Sequence, residues 1–322
     1  MPDVPHDLLY GRLILCSGTA NVPLAQEIAA YLGTTLHPVE IRQFANSNTF
    51  VRLEKSVRGC DVFWVQPTSA PVNDNLMELL IAIDCLRRDS AGRITVVVPY
   101  YGYGRSDKKD QPRVPITARL VADMLTTAGA DRVLTMDLHA GQIQGFFHIP
   151  VDDITARHHL ADWVKGAGIE NGVVLSPDLG HAKDARYFAD EVDMPLALAE
   201  KRRSKDGGNT EALNLIGEVD GCDVLIVDEE IDTAGTMVHA AEFAKVARRA
   251  AGVRAGDARD LLAARRRAAD GLAVRARRHE QLPPAAREAP GVRRGPVRRR
   301  PAGRGDPAHS HTGQSVGAMF NE

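Results

Sequence analysis

The stretch Val224-Leu-Ile-Val-Asp-Glu-Glu-Ile-Asp-Thr-Ala-Gly-Thr236 indicates the fold and the chemistry of this chain more clearly than any other segment. Its first four apolar residues predict a buried parallel strand, which ends at three consecutive carboxylates. Acidic side chains at the carboxyl end of such a strand suit ribose hydroxyls or a metal. The small residues that follow lead into a predicted helix at 237–246, whose first N–H groups can bind a phosphate. One sugar phosphate could bind to the acidic residues and to the turn at the same time. The alternative interpretation is a surface turn whose acidic residues cap the helix.

Segments typical of strands and of helices alternate along the rest of the chain. Apolar runs predict the strands and helical spacing predicts the helices, and a second alternation begins near residue 155. The predicted strands are 12–16, 61–66, 94–98, 132–136, 173–175 and 224–227, and the predicted helices are 22–32, 75–88, 116–127 and 181–190. This order predicts an α/β fold of two similar halves, each with a parallel sheet flanked by helices.

Composition and charge narrow the classes of protein to which this chain can belong. No apolar run reaches the roughly 20 residues of a membrane span, and the first residues lack the pattern of a secretory signal. The four cysteines are far apart, which favours free thiols in a reducing compartment, so the cytoplasm is expected. The formal net charge of -2 combines an excess of cations over residues 247–311 with an acidic remainder. An acidic body argues against a nucleic-acid-binding enzyme.

Three more polar segments directly follow predicted strands, where open α/β sheets bind their ligands. Residues 99–110 combine cations and aromatic rings around glycines, which fits an adenine with a polyphosphate but also a solvated loop. Asp137 and His139 project to the same side of an extended segment, where they could bind a metal or a phosphate or be purely structural. Asp178, at a glycine turn, is a weaker signal of the same kind.

Residues 200–209 bring four cations to a Gly-Gly-Asn hinge that has no apolar anchor. This composition predicts a mobile loop. A cationic loop beside a phosphate site is a candidate lid that neutralises charge during phosphoryl transfer. The alternative is a plain exposed loop.

These segments occur in the order and approximate spacing of the ribose-phosphate pyrophosphokinase family, which the chain resembles from about residue 12 to residue 246. The segments 69–80, 115–123 and 315–320 are similar to the family as well. The resemblance implies two stacked phosphoribosyltransferase-like domains, an ATP-side domain at 8–153 and a ribose 5-phosphate-side domain at 154–246.

The resemblance also implies an activity and an assembly. The implied reaction is the transfer of a diphosphoryl group from Mg-ATP to the 1-hydroxyl of ribose 5-phosphate, which gives phosphoribosyl pyrophosphate and AMP for nucleotide biosynthesis. The implied assembly is a cytoplasmic homohexamer whose ATP sites are shared between subunits, with no nucleic-acid or membrane partner.

Individual residues of this sequence receive roles from the same resemblance. It implies that His139 and Asp178 bind Mg2+ and that Lys201 and Arg203 are the catalytic cations of the lid. The residues implied to bind ATP are Phe44, Asn46, Ser47, Asn48, Arg105 and Ser106. Those implied to bind ribose 5-phosphate are Arg203, Asp228, Asp232, Thr233, Ala234, Gly235 and Thr236. Attack at phosphorus builds charge on oxygens, which magnesium and preorganised cations can stabilise.

Three positions depart from the family pattern. Asn48 replaces a glutamate, Glu229 replaces the second of two aspartates, and His148 replaces an acid. Because Asn is a poorer partner for a cation than Glu, two other hypotheses stay open. The chain could be a non-catalytic homologue that regulates a true synthetase, or a phosphoribosyltransferase that consumes phosphoribosyl pyrophosphate. The retained His139 and Lys201 favour the enzyme.

Residues 247–311 differ from the rest in composition, with 17 Arg, 6 acidic residues and no Lys, Ile, Phe, Tyr, Trp, Met or Asn. Such a segment cannot bury a core and predicts disorder, so the second domain is expected to be incomplete. We interpret it as a stretch read in the wrong frame of a GC-rich gene, because a one-base shift is compatible with three family-like segments in the right order. The family pattern resumes at 312–322. A genuine basic linker is the alternative.

Overall fold

The computed structural model describes residues 11–203 and 211–231, together with positions 237, 238, 240, 241 and 244. For residues 200–203 and 211–214 it describes the backbone alone. The segments 247–311 and 312–322 lie outside the described residues, so the interpretation of a shifted frame stays a prediction. Within the part of the chain that is described, no helix is long and apolar enough to cross a bilayer.

The first half contains a five-stranded parallel sheet and a separate hairpin. Its strands are β1 (Leu13–Ser17), β2 (Val39–Gln43), β3 (Thr49–Leu53), β4 (Asp61–Val65), β5 (Arg93–Val98), β6 (Arg132–Met136) and β7 (Val151–Ile154). The sheet has the order β1-β4-β5-β6-β7, and β2 pairs with β3 alone in an antiparallel hairpin. The helices are α1 (Val22–Tyr31), α2 (Val72–Arg88) and α3 (Thr117–Ala128), and a short 3-10 helix (Gly141–Phe146) follows β6.

The side chains of β4 alternate between two cores, one on each face of this sheet. Val62 and Trp64, both fully buried, pack in a cluster with α2 and α3, whereas Phe63 and Val65 pack with α1. Parallel strands that are buried on both faces form continuous apolar runs in the sequence. The runs at 61–66 and 94–98 were therefore sufficient to predict β4 and β5.

An ion pair between the first residues of β4 and β5 fixes the register of these two strands. Asp61 is 1% exposed and lies opposite Arg93 in the ladder. Nε of Arg93 donates a hydrogen bond to Oδ1 of Asp61 at 2.8 Å, and the guanidinium also pairs with Oδ2. Because a buried carboxylate requires such a partner, a slip of one residue would leave the charge of Asp61 uncompensated.

The second half contains a four-stranded mixed sheet. Its elements are α4 (Arg157–Gly166), β8 (Gly172–Ser176), α5 (Ala182–Val192), β9 (Leu196–Arg203), β10 (Glu211–Ile216) and β11 (Asp223–Ile226). The strand order is β10-β9-β8-β11, with β8 parallel to β9 and β11 and with β10 antiparallel to β9. Phe188 of α5 packs with Val174 on one face, and Ala240 packs with Val173 on the other.

The α/β fold with two mainly parallel sheets flanked by helices is confirmed, while the exact limits 8–153 and 154–246 stay predictions. One expectation about the lid is wrong: residues 200–203 form the end of β9 instead of the start of a loop. Antiparallel pairing with β10 satisfies the backbone of these residues, and composition alone does not reveal that partner.

Candidate active site

Four loops meet where the carboxyl ends of strands from both sheets lie close together. They follow β5, β6, β8 and β11. Side-chain contacts between described residues join the two halves there, among them those of His139 with Glu229 and of both Tyr100 and Arg105 with Glu230. The polar segments predicted after these strands are therefore brought together, as the topology of parallel sheets requires.

The loop after β5 depends on Gly102. Its N–H donates a hydrogen bond to Oγ1 of Thr68 at 2.7 Å. A Cβ atom on Gly102 would lie only 2.8 Å from the carbonyl oxygen of Thr68, so a larger residue would push the loop outward. This close approach turns the chain so that Tyr100 and Arg105 can both reach Glu230.

His139 is positioned by a hydrogen-bonded turn after β6. Asp137 has a positive φ of 44°, and its Oδ2 accepts a hydrogen bond from Ala156 N–H at 3.0 Å. The next N–H, of Leu138, donates to Oδ1 of Asp153 at 3.2 Å. Two carboxylates thus hold the backbone immediately before His139, which fixes the direction of its side chain.

The carboxylate of Glu229 bridges two imidazoles. Its Oε1 lies 2.8 Å from Nδ1 of His139, and its Oε2 pairs with Nε2 of His181. The centroids of the two rings are 6.2 Å apart. Since His139 follows β6 while His181 and Glu229 belong to the second half, the bridge connects the two sheets.

His181 lies at the start of α5, where Asp178 orients it. The N–H of His181 donates to Oδ1 of Asp178 at 3.1 Å, and Nδ1 of its ring lies 3.5 Å from the same oxygen. Oδ1 of Asp228 lies 3.6 Å from the same Nδ1. Two carboxylates therefore surround one ring nitrogen of His181, and Glu229 contacts the other.

Burial and mutual contacts shift the pKa values of His181, Asp228 and Glu229. The close contact with the Glu229 carboxylate raises the pKa of His181 to about 9, against the opposing effect of burial. Burial raises the pKa of Asp228 to about 8. Burial alone would also raise the pKa of Glu229, but contacts with His139, His181 and Asp228 together hold that pKa well below its usual range. At neutral pH a charged Glu229 therefore faces a protonated His181.

A divalent cation fits this cluster. Ligand atoms of His139, His181 and Glu229 lie within 4.8 Å of one another. The buried Nδ1 of His181 and Oε2 of Glu229 have no hydrogen-bond partner among the residues that the structure describes. Sequence reasoning identified His139 but missed His181, for which a histidine three residues after Asp178 was the signal.

Arg105 and Ser106 are neighbours with different surroundings. Nε of Arg105 lies 3.3 Å from Oε2 of Glu230, and 54% of its side chain is exposed, so a ligand can reach it. Oγ of Ser106 instead accepts a hydrogen bond from Thr117 N–H at 3.2 Å, at the start of α3. Their assignment to ATP stays a prediction, and the geometry favours Arg105 over Ser106 as a phosphate contact.

The remaining residues predicted to bind ATP form the turn of the β2–β3 hairpin. Phe44 is 42% exposed, and its ring lies 5.8 Å from that of Phe50 in an edge-on arrangement, with the guanidinium of Arg42 4.6 Å from each centroid. Asn46 Oδ1 accepts a hydrogen bond from Asn48 N–H at 3.2 Å across the turn. The residues of this turn are Phe44, Asn46, Ser47 and Asn48. They belong to an element separate from both sheets, and their contribution to a neighbouring subunit stays a prediction.

The predicted catalytic and sugar-phosphate residues are described only in part. The backbone of Lys201 and Arg203 belongs to β9, opposite Leu213 and Glu211 of β10. Asp228 lies in the cluster beside His181. The rest of the predicted sugar-phosphate turn lies outside the described residues, namely Asp232, Thr233, Ala234, Gly235 and Thr236.

Comparison with known proteins identifies the family. A model for the N-terminal domain of ribose phosphate pyrophosphokinase matches residues 13–129, and a model for the phosphoribosyl transferase domain matches residues 150–255. The ribose-phosphate pyrophosphokinase of Wolinella succinogenes is 52% identical over 229 residues, which cover 71% of this chain and 74% of that one. The chain belongs to the ribose-phosphate pyrophosphokinase family.

Further relatives of this family agree. The ribose-phosphate pyrophosphokinase of Chlorobaculum tepidum is 53% identical over 234 residues, 72% of each chain. The crystal structure of phosphoribosylpyrophosphate synthetase from Mycobacterium smegmatis superposes with a TM-score of 0.68 at 43% identity, over 73% of this chain and 76% of that one. The comparisons confirm two predictions, namely the family and the assignment of the chain as a transferase.

Proposed function

We propose that the protein transfers a diphosphoryl group from Mg-ATP to the 1-hydroxyl of ribose 5-phosphate and releases phosphoribosyl pyrophosphate and AMP, for use in nucleotide biosynthesis. The observation that carries the proposal is the contact between His139 and Glu229, which brings the loop after β6 to the loop after β11. A nucleotide bound by the first half and a sugar phosphate bound by the second would meet at one cation site. The names of the relatives support the same synthesis.

Each of the described side chains would have a separate role in this reaction. Mg2+, when bound, would neutralise charge on the polyphosphate, and His139 and Asp178 would hold it. Arg105 would exchange its contact with the Glu230 carboxylate for phosphate oxygens, which a guanidinium can bind through two parallel hydrogen bonds. The carboxylate of Asp228 would accept hydrogen bonds from ribose hydroxyls.

The strand pairing supports a catalytic role for Lys201 and Arg203. Leu198 of β9 pairs with Ser176, the last residue of β8. The backbone of β9 therefore continues past the carboxyl end of β8 to Lys201, at the same end of the sheet as Asp178. Cations at this end of the sheet can stabilise charge that develops on the transferred group.

The assembly and the location follow from the family resemblance. We propose a cytoplasmic homohexamer, in which Phe44 at the tip of one hairpin completes the ATP site of a neighbouring subunit. The exposed position of Phe44 is compatible with such a contact.

Product analysis tests the proposed reaction. The full chain is incubated with ATP, ribose 5-phosphate and Mg2+, and the nucleotides are separated chromatographically. AMP should appear only when all three are present, and His139→Ala should lower its rate by about 10²-fold or more. The variant His158→Ala is the matched control, because His158 is an exposed histidine that pairs with Glu191 away from the site. Formation of ADP would contradict the proposal, since ADP indicates transfer of the γ-phosphoryl group.

A further inference from the structure

We propose that Arg42 is a positioning residue for ATP binding, which holds the ring of Phe44 at the tip of the β2–β3 hairpin in the orientation in which a purine base can stack on it. This role rests on the proposed function, in which Phe44 completes the ATP site of a neighbouring subunit. The family resemblance implies no role for Arg42. Its side chain acts on the nucleotide through Phe44 and Phe50.

The two faces of the β2–β3 hairpin have different surroundings. Ile41 of β2 pairs with Val51 of β3, and both side chains pack against the core cluster that includes α2. Because side chains alternate along a strand, the next pair, Arg42 with Phe50, lies on the opposite, outer face. An aromatic ring on an outer face exposes apolar surface to water unless other side chains cover it. Arg42 and Phe44 provide this cover for Phe50.

The guanidinium of Arg42 contacts both rings. Its Cζ lies 4.6 Å from the ring centroid of Phe44 and 4.6 Å from that of Phe50. The two rings meet edge-on, with their centroids 5.8 Å apart and an angle of 69° between their planes. These distances lie in the range in which cation–π and aromatic pairs attract each other. Removal of Arg42 would therefore release Phe44 from one direct contact and from one that acts through Phe50.

A carboxylate on the same face fixes the guanidinium of Arg42. Oε1 of Glu40 lies 3.2 Å from Nε of Arg42, and Oε2 of Glu40 lies 2.7 Å from Nη2 of Arg52. Glu40 and Arg52 are opposite each other in the ladder, so the strand pairing sets the position of the carboxylate. A carboxylate pairs with the edge of a guanidinium, in the plane of its N–H groups. The flat face of Arg42 is therefore available to the two rings.

Hydrogen bonds close the backbone of the hairpin tip but do not orient the ring of Phe44. The N–H of Phe44 donates to the carbonyl oxygen of Asn48, and the N–H of Ser47 donates to that of Phe44, both at 2.8 Å. The side chain of Phe44 is 42% exposed, so its torsions are restrained only by neighbours such as Arg42. A ring that is already oriented loses less conformational entropy when a base stacks on it. The contact with Arg42 should therefore increase the affinity for ATP.

Steady-state kinetics of the full chain test the role of Arg42. Arg42→Gln should raise the KM for ATP about fivefold, as expected for loss of an exposed cation–π contact, without changing kcat or the KM for ribose 5-phosphate. Arg42→Lys keeps a cation and should give an intermediate KM for ATP. Arg52→Gln is the matched control, because Arg52 belongs to the same hairpin and pairs with the same Glu40. An unchanged KM for ATP in Arg42→Gln, or an equal increase in Arg52→Gln, would overturn the proposal.

A double-mutant cycle separates positioning of Phe44 from a general effect on the hairpin. Phe44→Ala should itself raise the KM for ATP, and Arg42→Gln should then cause no further increase, because the ring that it positions is gone. A further increase of about fivefold would show that Arg42 acts independently of Phe44 and would contradict the proposal.

The single variants of this cycle also distinguish the two assignments. An unchanged KM for ATP in Phe44→Ala would contradict the proposed place of Phe44 in the ATP site, and with it the role of Arg42. An increase in Phe44→Ala with no change in Arg42→Gln would overturn the role of Arg42 alone.

Equilibrium binding of a non-hydrolysable ATP analogue provides a readout that does not depend on turnover. The affinity should fall about fivefold in Arg42→Gln and about twofold in Phe50→Leu, which keeps the cation but removes its second ring. Sedimentation and circular dichroism should show the assembly and the fold of the unmodified chain in both variants. Affinities equal to that of the unmodified chain would overturn the proposal. Loss of assembly or of folding in both variants would also overturn it, because the cluster would then have a purely structural role.

Discussion

The phenol of Tyr100 donates a hydrogen bond to Glu230, with 2.9 Å between Oη of Tyr100 and Oε1 of Glu230. The other oxygen of Glu230 lies 3.3 Å from Nε of Arg105. One carboxylate of the second half thus holds two side chains of the loop after β5. A ligand that binds Arg105 must compete with this carboxylate, which has consequences for nucleotide affinity.

Glu230→Gln should lower the KM for ATP if Arg105 binds the polyphosphate. The amide competes less strongly than the carboxylate for the guanidinium, but the pair is half-exposed, so the gain should be at most about fivefold. Steady-state kinetics with varied ATP measure it. Tyr100→Phe, which keeps the pair with Arg105, is the comparison variant. An unchanged KM in Glu230→Gln would count against Arg105 as an ATP residue.

Lys201→Ala should lower kcat far more than it weakens binding of ribose 5-phosphate. A cation that acts where charge develops in the transition state contributes mainly to turnover, and loss of one such donor costs about 10²–10³-fold. Steady-state kinetics and equilibrium binding of ribose 5-phosphate separate the two effects. Lys165→Ala, an exposed lysine at the end of α4, should have no effect on either quantity. Near-normal turnover in Lys201→Ala would show that the catalytic assignment is wrong.

Asp61→Ala should destabilise the first half by about 3 kcal/mol. The substitution removes the buried partner of Arg93, and the penalty lies at the lower end of the range for buried ion pairs because Arg93 is 23% exposed. Thermal or urea unfolding followed by circular dichroism provides the measurement. Asp84→Ala breaks the exposed pair of Asp84 with Arg88 and should change stability by less than about 0.5 kcal/mol. Equal effects of the two substitutions would contradict the register argument.

The folded chain should lose stability as the pH rises from about 4 to about 7, because the partly buried carboxyl group of Asp153 loses its proton over this range. Burial raises its pKa to about 6 in the folded chain, from an ordinary value near 4, so the folded state binds the proton more tightly than the unfolded state. The stabilising effect of that proton is complete at low pH and is lost as the pH rises through the folded pKa. Asp153→Asn should therefore raise stability at pH 8 by about 1 kcal/mol, after allowance for solvent screening, and should have no such effect at pH 4.

Melting temperatures of the full chain across this pH range test the prediction. Asn keeps an oxygen that can accept the hydrogen bond from Leu138 N–H, so the turn before His139 should persist. The adjacent substitution Asp152→Asn weakens the pair with Arg132 and should not gain stability at pH 8. A pH profile that is identical in Asp153→Asn and the unmodified chain would contradict the prediction.

The gene itself tests the origin of the Arg-rich segment. The nucleotides of codons 245 to 314 should be read in all three frames. One alternative frame should lack stop codons and encode three strands and a final helix. The chain with this frame restored should form a larger assembly in sedimentation than the chain as given. Stop codons in the alternative frames would establish the segment as a genuine basic tail.

Sequence predicted those parts of the fold in which burial imposes a pattern. The strands β4, β5, β6 and β8 are buried almost throughout, and their apolar runs are visible without a structure. β7, with the sequence Val-Asp-Asp-Ile, is not visible in this way. Its two carboxylates are satisfied by Arg132 and by the N–H of Leu138, partners that only the folded chain supplies.

The residues of the candidate site likewise fall into those that local sequence could predict and those that it could not. His139 could be identified because Asp137 and a preceding strand lie beside it in the sequence. For His181 the sequence offered only its position three residues after Asp178, because its contact with Glu229 involves a residue of another loop. Periodicity reports local structure, whereas this pair is created by the parallel pairing of β8 with β11.

The strand order of the first half has a consequence for biosynthesis. All five strands of its sheet lie before residue 155, so the ribosome has completed them well before it reaches codon 247. Domains generally fold as units during translation, beginning at the N-terminus. A slip of the reading frame downstream therefore comes too late to prevent the first half from folding. If the predicted frame shift is present in the gene, the cell would hold a finished first half joined to an incomplete second half, and recognition of the second half by chaperones and proteases would decide the lifetime of both.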